Sequence, residues 1–394
     1  MPEPIALICN WARSAVAPHG GTFAALHPHH IAAPVVTALL QRAGISADCV
    51  DAVVVGNALG AGGNPARMLA LAAGLPQGCA TYSVDTQCCS GLDAIALATG
   101  LLASGQASVV VAGGVEAWSR SPLRQHRPLR AGDPAVAYER PAFAPEPARD
   151  PDLLVSAADF AALSGTTRLQ QDAYAIQSHH RAFACQQDLS GEIVGMCDLQ
   201  HDPYPRELSA AKAARMPVAA RSGLAEYGAD GIGPQEDCAV SSLAISPKAD
   251  GAAFVLLATP QACKRLGLEP RAAWLASASV GNEPSTPLLC AEIAARAAMA
   301  RAELPSAQCL QAIELHDAFA VQGIHFAQAL ALDNAQLNRR GGGLARGHPI
   351  GASGAIALVR LLADLQRDER VGALGLAAIA GAGGIGAATI VQKL

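Results

Sequence analysis

Two short segments carry side chains suited to covalent chemistry. The first, Gln87-Cys88-Cys89-Ser90-Gly91, lies between a β-patterned run and an Ala/Leu-rich stretch from Leu92 to Ala103 that reads as a helix. A thiol at such a turn sits beside the unsatisfied N–H groups of a helix start. That environment lowers a cysteine pKa and favours the nucleophilic thiolate. A cysteine at a turn is equally at home as a small buried hydrophobe, so Cys88 alone decides nothing. The second segment, Arg346-Gly347-His348-Pro349-Ile350-Gly351, sets a histidine among glycines that allow close backbone approach, with a proline that stiffens the turn. An imidazole there can take a proton near neutral pH or merely cap a helix.

The elements that must position these groups follow one plan twice. Apolar runs at Ala52 to Val55, Ser108 to Ala112 and Ala312 to Leu315 alternate with helical stretches, the pattern of buried strands in an α/β protein. The segment TYSVDTQCCSGLDAIALATGLLASGQASVVVAGGVEA and the C-terminal segment beginning GGGLARGHPIGASGAIALVRLL share a tight polar turn, a Ser-Gly pair (Ser90-Gly91, Ser353-Gly354) and a long helix. In each, a second strand ending in a Gly-rich turn follows. A pseudo-twofold relation between two such halves would bring Cys88 of one and His348 of the other to a single cleft. Between them, from about Ser119 to Asp237, the chain turns rich in Pro and Arg and reads as a loop or lid region. Within it TTRLQQDAYAIQSHHRAFACQQ reads as a helix capped by Thr166 or Thr167, with Ala173, Ile176, His180 and Phe183 on one face. The expected division is 1–118 with 239–267 as the first half, 119–238 as the lid and 268–394 as the second half.

Composition narrows the function classes. At 394 residues and 51% apolar, the chain exceeds what one core of roughly 250–300 residues accommodates. A net charge of −5 and a charged fraction of 15% lack the basic excess of a nucleic-acid binder. The eleven cysteines show no CxxC pairing, so most are expected to be reduced and buried. The opening MPEPIALICNWARSAV has neither a basic region nor a long apolar run, so we expect no signal peptide, no membrane span and a cytoplasmic location. His27, His29 and His30 lack a carboxylate or thiol at metal-ligand spacing; an exposed loop and no metal are expected.

Six motifs carry a family resemblance along nearly the whole chain. VDTQCCSGLDA resembles the nucleophile motif of the thiolase family, GGVEAWSRSP its following strand and turn, and QQDAYAIQSHHRA its loop-domain helix. SPKADGAAFVLL, ELHDAFA and NRRGGGLARGHPIGASGA are similar to three further thiolase segments in family order. The resemblance implies an αβαβα sandwich of two similar halves plus an inserted lid, and a homodimer or homotetramer formed through the nucleophile-bearing half. It implies acyl transfer through a thioester on Cys88, with coenzyme A and acyl-CoA as substrates, no tightly bound cofactor, and His348 as base. A thiolate is both nucleophile and leaving group, as that chemistry requires. Oxyanion donors would come from the Cys88 or Cys89 N–H and from the 381–384 turn, including Ala382 and Gly383. His316 would help hold a water or the substrate oxygen, and Ser246 would contact the pantetheine arm. Arg120, Arg124, Arg127, Arg130, Lys212, Arg215 and Arg221 are weaker candidates for CoA phosphates.

The resemblance breaks at one position. Thiolases place a second cysteine before their last Gly-rich turn, but AIAGAGGIGAA aligns Ala380 there, and the HDAF segment has Ala318 where one branch relocates that cysteine. A methyl group cannot move an α-proton. Three functions therefore stay open: thiolase-type C-acyl transfer, non-thiolytic or decarboxylative acyl transfer on a Cys-His-His site similar to that of ketosynthases, and a non-catalytic CoA-binding partner subunit.

Overall fold

The Val-rich runs become strands because β-branched side chains pack well in sheets buried on both faces. A computed structural model describes residues 6–60, 62–224, 237–333 and 335–394; the first five residues and residues 225–236 of the expected lid lie outside the described residues. The main strands are β1 (Leu7–Ser14), β2 (Ala52–Gly56), β3 (Ala80–Val84), β4 (Val109–Ala117), β5 (Ala249–Ala258), β6 (Ala272–Gly281), β7 (Ala312–His316), β8 (Leu374–Gly381) and β9 (Ile385–Lys393). They form one sheet in the order β7-β8-β9-β6-β1-β5-β4-β2-β3, with two-residue strands at Ala17–Pro18 and Ile193–Val194 added to its side. β1 meets β6 through the pairs Leu7–Ala273 and Ile8–Ala272, a narrow seam between two half-sheets.

Each half-sheet repeats one pattern. In the first, β3, β2 and β4 are parallel, then β5 and β1 follow antiparallel. In the second, β7 and β8 are parallel, then β9 and β6 follow antiparallel. The repeated pairing order gives the sequence echo its structural meaning.

Helices fill three layers around these half-sheets. The central layer holds α2 (Ser90–Ala103) and α6 (Ser353–Asp368), both continuing from the two chemistry-bearing turns. Leu92, Ile95 and Leu102 of α2 and Ile356, Leu358 and Leu361 of α6 share one core with Val54 and Val110 of the first half-sheet and Ile379 and Val391 of the second. On the outer faces, α1 (Pro28–Ala43) packs Ile31, Val35 and Leu39 on Val53 and Val111, and α5 (Cys290–Arg301) packs its alanines on Ile313 and Leu376. Helix, sheet, helix, sheet, helix is the expected αβαβα sandwich. The segment between the two halves contributes α3 (Leu153–Ser164), capped by the Asp152 carboxylate on the Leu154 N–H at 2.8 Å, and α4 (Arg168–Ala184).

Some local expectations hold and others need correction. Of the two expected caps of α4, Thr167 is the one used, in a reciprocal box with Gln170. Ala173, Ile176, His180 and Phe183 do share one face, the outer one, with Ile176 half-buried and the others exposed, while the buried face holds Gln171, Asp172, Ala175, Ser178, His179 and Ala182. This helix turns its polar side inward because the groups it meets there, Ser241, Asp317 and Gly342, are hydrogen-bonding ones. His27, His29 and His30 form the N-terminal turn of α1 rather than a loop, with the rings of His29 and His30 4.0 Å apart. The cysteines are all free, but Cys9, Cys79, Cys89, Cys263 and Cys290 are the buried ones and Cys197 is exposed. Among the described residues no helix is long and apolar enough to cross a membrane, and no group of three His, Cys, Asp or Glu is placed to hold a metal.

The central layer is tight where the two turns meet. A methyl group on Gly114 of β4 would lie 2.0 Å from the Gly351 carbonyl oxygen, and one on Gly91 would lie 2.7 Å from the same atom. We expect Gly114→Ala to lower stability by roughly 1–3 kcal/mol, the usual cost of overpacking. A melting curve followed by circular dichroism reads this, and an unchanged midpoint would mean that the 347–351 loop yields freely.

Candidate functional site

Cys88 is delivered by the turn between β3 and α2. Gln87, just before it, takes a left-handed φ of +52°, uncommon for a residue with a side chain. The turn holds this conformation through local bonds. The Gln87 N–H donates to Asp85 Oδ1 at 3.0 Å, the Ser90 hydroxyl donates to the Gln87 carbonyl at 2.5 Å, and the Thr86 hydroxyl donates to Asp93 Oδ2 at 2.6 Å. Asp93 in turn accepts from Ser279 of the second half, which ties the Cys88 turn across the seam.

His348 arrives from the other half. Gly347 adopts φ +112° and ψ 173°, a conformation essentially reserved for glycine. The His348 N–H donates to the Pro247 carbonyl at 2.7 Å, and its own carbonyl accepts from the Trp118 indole at 2.9 Å. With its backbone clamped at both ends, the ring lies between two partners. Nε2 is 3.2 Å from Cys88 Sγ and Nδ1 is 2.6 Å from Ser353 Oγ. Because the Ser353 hydroxyl donates to the Pro349 carbonyl at 3.0 Å, its lone pair receives Nδ1–H. That leaves the Nε2 lone pair facing the thiol, the tautomer a base requires.

Electrostatics correct one expectation. Burial pushes the Cys88 thiol up to about 11, against the N–H groups of Ala382 and of Cys88 itself that favour its thiolate. Burial likewise lowers His348 to about 4. Desolvation thus outweighs the helix-start effect, and the resting pair is thiol and neutral imidazole.

The other sequence candidates divide. His316 ends β7 with its ring 4.3 Å from that of His348, 5% exposed, and its Nε2 is buried without a partner. Burial, and then the charges of His348 and Arg346, hold it well below the ordinary histidine value. Ala382 supplies the N–H that reaches Cys88, while Gly383, with φ +83°, shapes the turn against the Phe143 carbonyl. The Cys89 N–H is already used by the Thr86 carbonyl at 3.1 Å, so this donor is not free for an oxyanion. Its thiol points to the Ile379 carbonyl at 3.8 Å. Ile379 pairs with His316 in the sheet, and Ala380 follows it directly. Ser246 donates to the Gly343 carbonyl at 2.7 Å and keeps lone pairs for a ligand. Arg120, Arg127, Arg130, Lys212 and Arg215 are exposed, Arg124 donates to the Leu59 carbonyl at 2.8 Å, and Arg221 pairs with Asp237 at 3.0 Å.

Three further groups belong to the site. Ser353 carries a sequence signal only as a helix start, about one turn after His348. Glu116, fully buried and raised to about 7 by that burial, accepts from Asn57 Nδ2 at 2.8 Å, from the Ala58 N–H at 2.9 Å and from the Gly351 N–H at 3.0 Å. It therefore anchors the His348 loop to the first half. Asp317, raised to about 6 by burial, accepts from the Tyr174 hydroxyl of α4 at 3.0 Å and from the Leu344 N–H at 3.3 Å.

The sequence pattern of the thiolase N-terminal domain matches residues 6–261, and that of the thiolase C-terminal domain matches residues 268–393. The chain belongs to the thiolase family. An acetyl-CoA acetyltransferase of Cupriavidus necator is 33% identical over 98% of this chain and 99% of its own length. The acetyl-CoA acetyltransferase structure of Bacillus anthracis superposes with a TM-score of 0.87 at 28% identity, covering 99% of this chain and 98% of that one. An Ascaris suum thiolase in complex with coenzyme A superposes equally, 0.87 at 26% identity over the full length of both chains. Thiolases are acyltransferases that use CoA thioesters, so this thiolase is an enzyme of that class.

Two outcomes follow from the geometry. Ser353→Ala removes the group that fixes the imidazole tautomer, and we expect Cys88 alkylation by iodoacetamide to slow about tenfold or more, since a misaligned base forfeits part of its usual 10²–10⁴-fold contribution. The second concerns pH. His348 lies below the ordinary histidine value of about 6.5, so it stays neutral and able to accept a proton until pH falls through about 4. The alkylation rate of Cys88 should show no inflection near 6.5 and should fall only in the more acidic range. A clear step at 6.5 would contradict the desolvated pair.

Proposed function

We propose that this thiolase is an acyl-CoA C-acyltransferase working through an acyl thioester on Cys88 with His348 as base. The observation that carries this is the 3.2 Å contact between His348 Nε2 and Cys88 Sγ, with Ser353 orienting the ring from behind. As Cys88 sulfur attacks the thioester carbonyl, its proton passes to His348 Nε2. The oxyanion that forms is met by the Ala382 N–H, a preorganised donor in a desolvated site. Collapse expels the CoA thiolate, which recovers the proton from His348, and the acyl group stays on Cys88. A second acceptor then takes the acyl group, which gives ping-pong kinetics. His316 holds a water or substrate oxygen with its unpartnered Nε2, and Ser246 meets the pantetheine arm under the 119–238 lid.

Ala380 favours a second reading of the later step. Enolising an acyl-CoA needs an acid–base group near the α-carbon, and a methyl group at this position supplies none. Decarboxylative condensation, or acyl transfer without a Claisen step, needs no α-proton removal and fits a Cys-His-His site. The oligomer we propose is a homodimer through the nucleophile-bearing half. In support, β3 is the end strand of the sheet, with Tyr82 45% exposed, and Met68, Leu71 and Leu97 nearby in sequence are exposed apolar groups. An unpaired edge of this kind is normally covered.

Intact-mass analysis after incubation with acyl-CoAs tests the first half-reaction. We expect one acyl adduct, lost in Cys88→Ser; no adduct with any donor would defeat the proposal. Thiolysis of acetoacetyl-CoA separates the readings of the second. Efficient thiolysis by the unaltered chain would mean that another group replaces the missing cysteine. Acylation with thiolysis gained only in Ala380→Cys would favour the second reading.

A further inference from the structure

His316 and His348 reach the cleft on separate segments, and one side chain joins those segments behind them. Arg346 lies two residues before His348, in the short helical turn Gly343–Arg346, and is 3% exposed. Glu314 lies two residues before His316 on β7 and is 1% exposed. Arg346 Nη2 donates to Glu314 Oε2 at 3.1 Å, and Nη1 donates to the Gly341 carbonyl.

The two prongs have different jobs. The first fixes the distance between the strand that ends in His316 and the turn that leads to His348. The second pins a run of three glycines, Gly341-Gly342-Gly343, that would otherwise carry the highest backbone freedom in the approach to His348. A planar guanidinium fork suits this because both donors are held in one rigid frame. Stability alone is a weak reason for such a pair, since apolar side chains of similar volume commonly do as well in a buried site. We propose that Arg346 and Glu314 are a positioning pair that keeps the His316 strand and the His348 loop in register, so that the two imidazoles stay side by side and His348 faces Cys88.

The inference rests on the Cys88–His348 reading of the site, but not on any acyl substrate. Its test is therefore the rate of Cys88 alkylation by iodoacetamide at neutral pH, resolved by peptide mass spectrometry from the other thiols, on the full chain. His348→Ala is the control. If it alkylates at the unaltered rate, the site reading fails and the positioning role fails with it. If it is slow, the remaining variants judge the pair by itself. Glu314→Ala and Arg346→Met should slow alkylation about tenfold or more, whereas Glu314→Gln, which keeps an oxygen for Arg346, should stay within about threefold of the unaltered chain. Arg346→Lys, with one charge and no fork, should remain slow. A lower melting temperature with an unaltered alkylation rate in Glu314→Ala and Arg346→Met would reduce the pair to a structural role and overturn the proposal. Equal slowing in Glu314→Gln and Glu314→Ala would overturn it too, because charge rather than position would then matter. Should Glu314→Ala and Arg346→Met fail to fold, Arg346→Lys decides: slow alkylation supports positioning and an unaltered rate refutes it.

Discussion

The contact between Cys88 and His348 is short because two helix starts face each other across a gap that admits no side chains. Gly91, Gly114 and Gly351 stand where a Cβ would run into facing backbone, and Gly354 where one would meet Leu92. Everything larger in the molecule keeps those starts in place: two half-sheets, the paired helices between them and the outer helices that bury the remaining faces. A thiol and an imidazole placed this deeply lose hydration, and loss of hydration opposes both of their charged forms. The resting site is therefore neutral. Separated charge is expected to appear when a substrate carbonyl arrives to take up the sulfur's electrons, with donors already in place.

Much of this was legible in the sequence. The turns bearing Cys88 and His348, the strands at 52–56, 109–117 and 312–316, and the duplicated strand, turn and helix all carry local signals in residue type and spacing. Those signals are short-range, so periodicity and turn chemistry report them well. What the sequence hid depends on long-range burial. The helix start beside Cys88 predicts a lowered thiol pKa from nearby N–H groups, whereas the loss of water that raises it leaves no local mark in the sequence. The same limit explains why the Cys89 N–H looked available as a donor, and why Glu116 and Asp317 did not stand out. Their roles exist only through partners dozens to hundreds of residues away.

Helix α4 shows a related effect. Ala173, Ile176, His180 and Phe183 share one face as their spacing predicts, but that face is the outer one, and Gln171, Asp172 and Ser178 face the interior. They meet hydroxyls, N–H groups and carbonyls there, including Asp172 with Ser241 and Ser178 with the Gly342 N–H. Where a layer borders a functional cleft, hydrogen-bond partners decide which side of a helix is buried, and hydrophobicity follows.

The separation of Cys88 and His348 along the chain has a further meaning. Cys88 and His348 are 260 residues apart and belong to different half-sheets. A chain folded only through its first half carries the Cys88 turn without the Ser279 tie, the imidazole, the Ala382 N–H and the enclosure that the second half supplies. Long loops must close before that contact forms, which makes it a late event in folding. Until the last third of the protein has been synthesised and docked, the sulfur has neither the imidazole nor the enclosure that raises its pKa, so the paired, neutral site is a product of the finished fold.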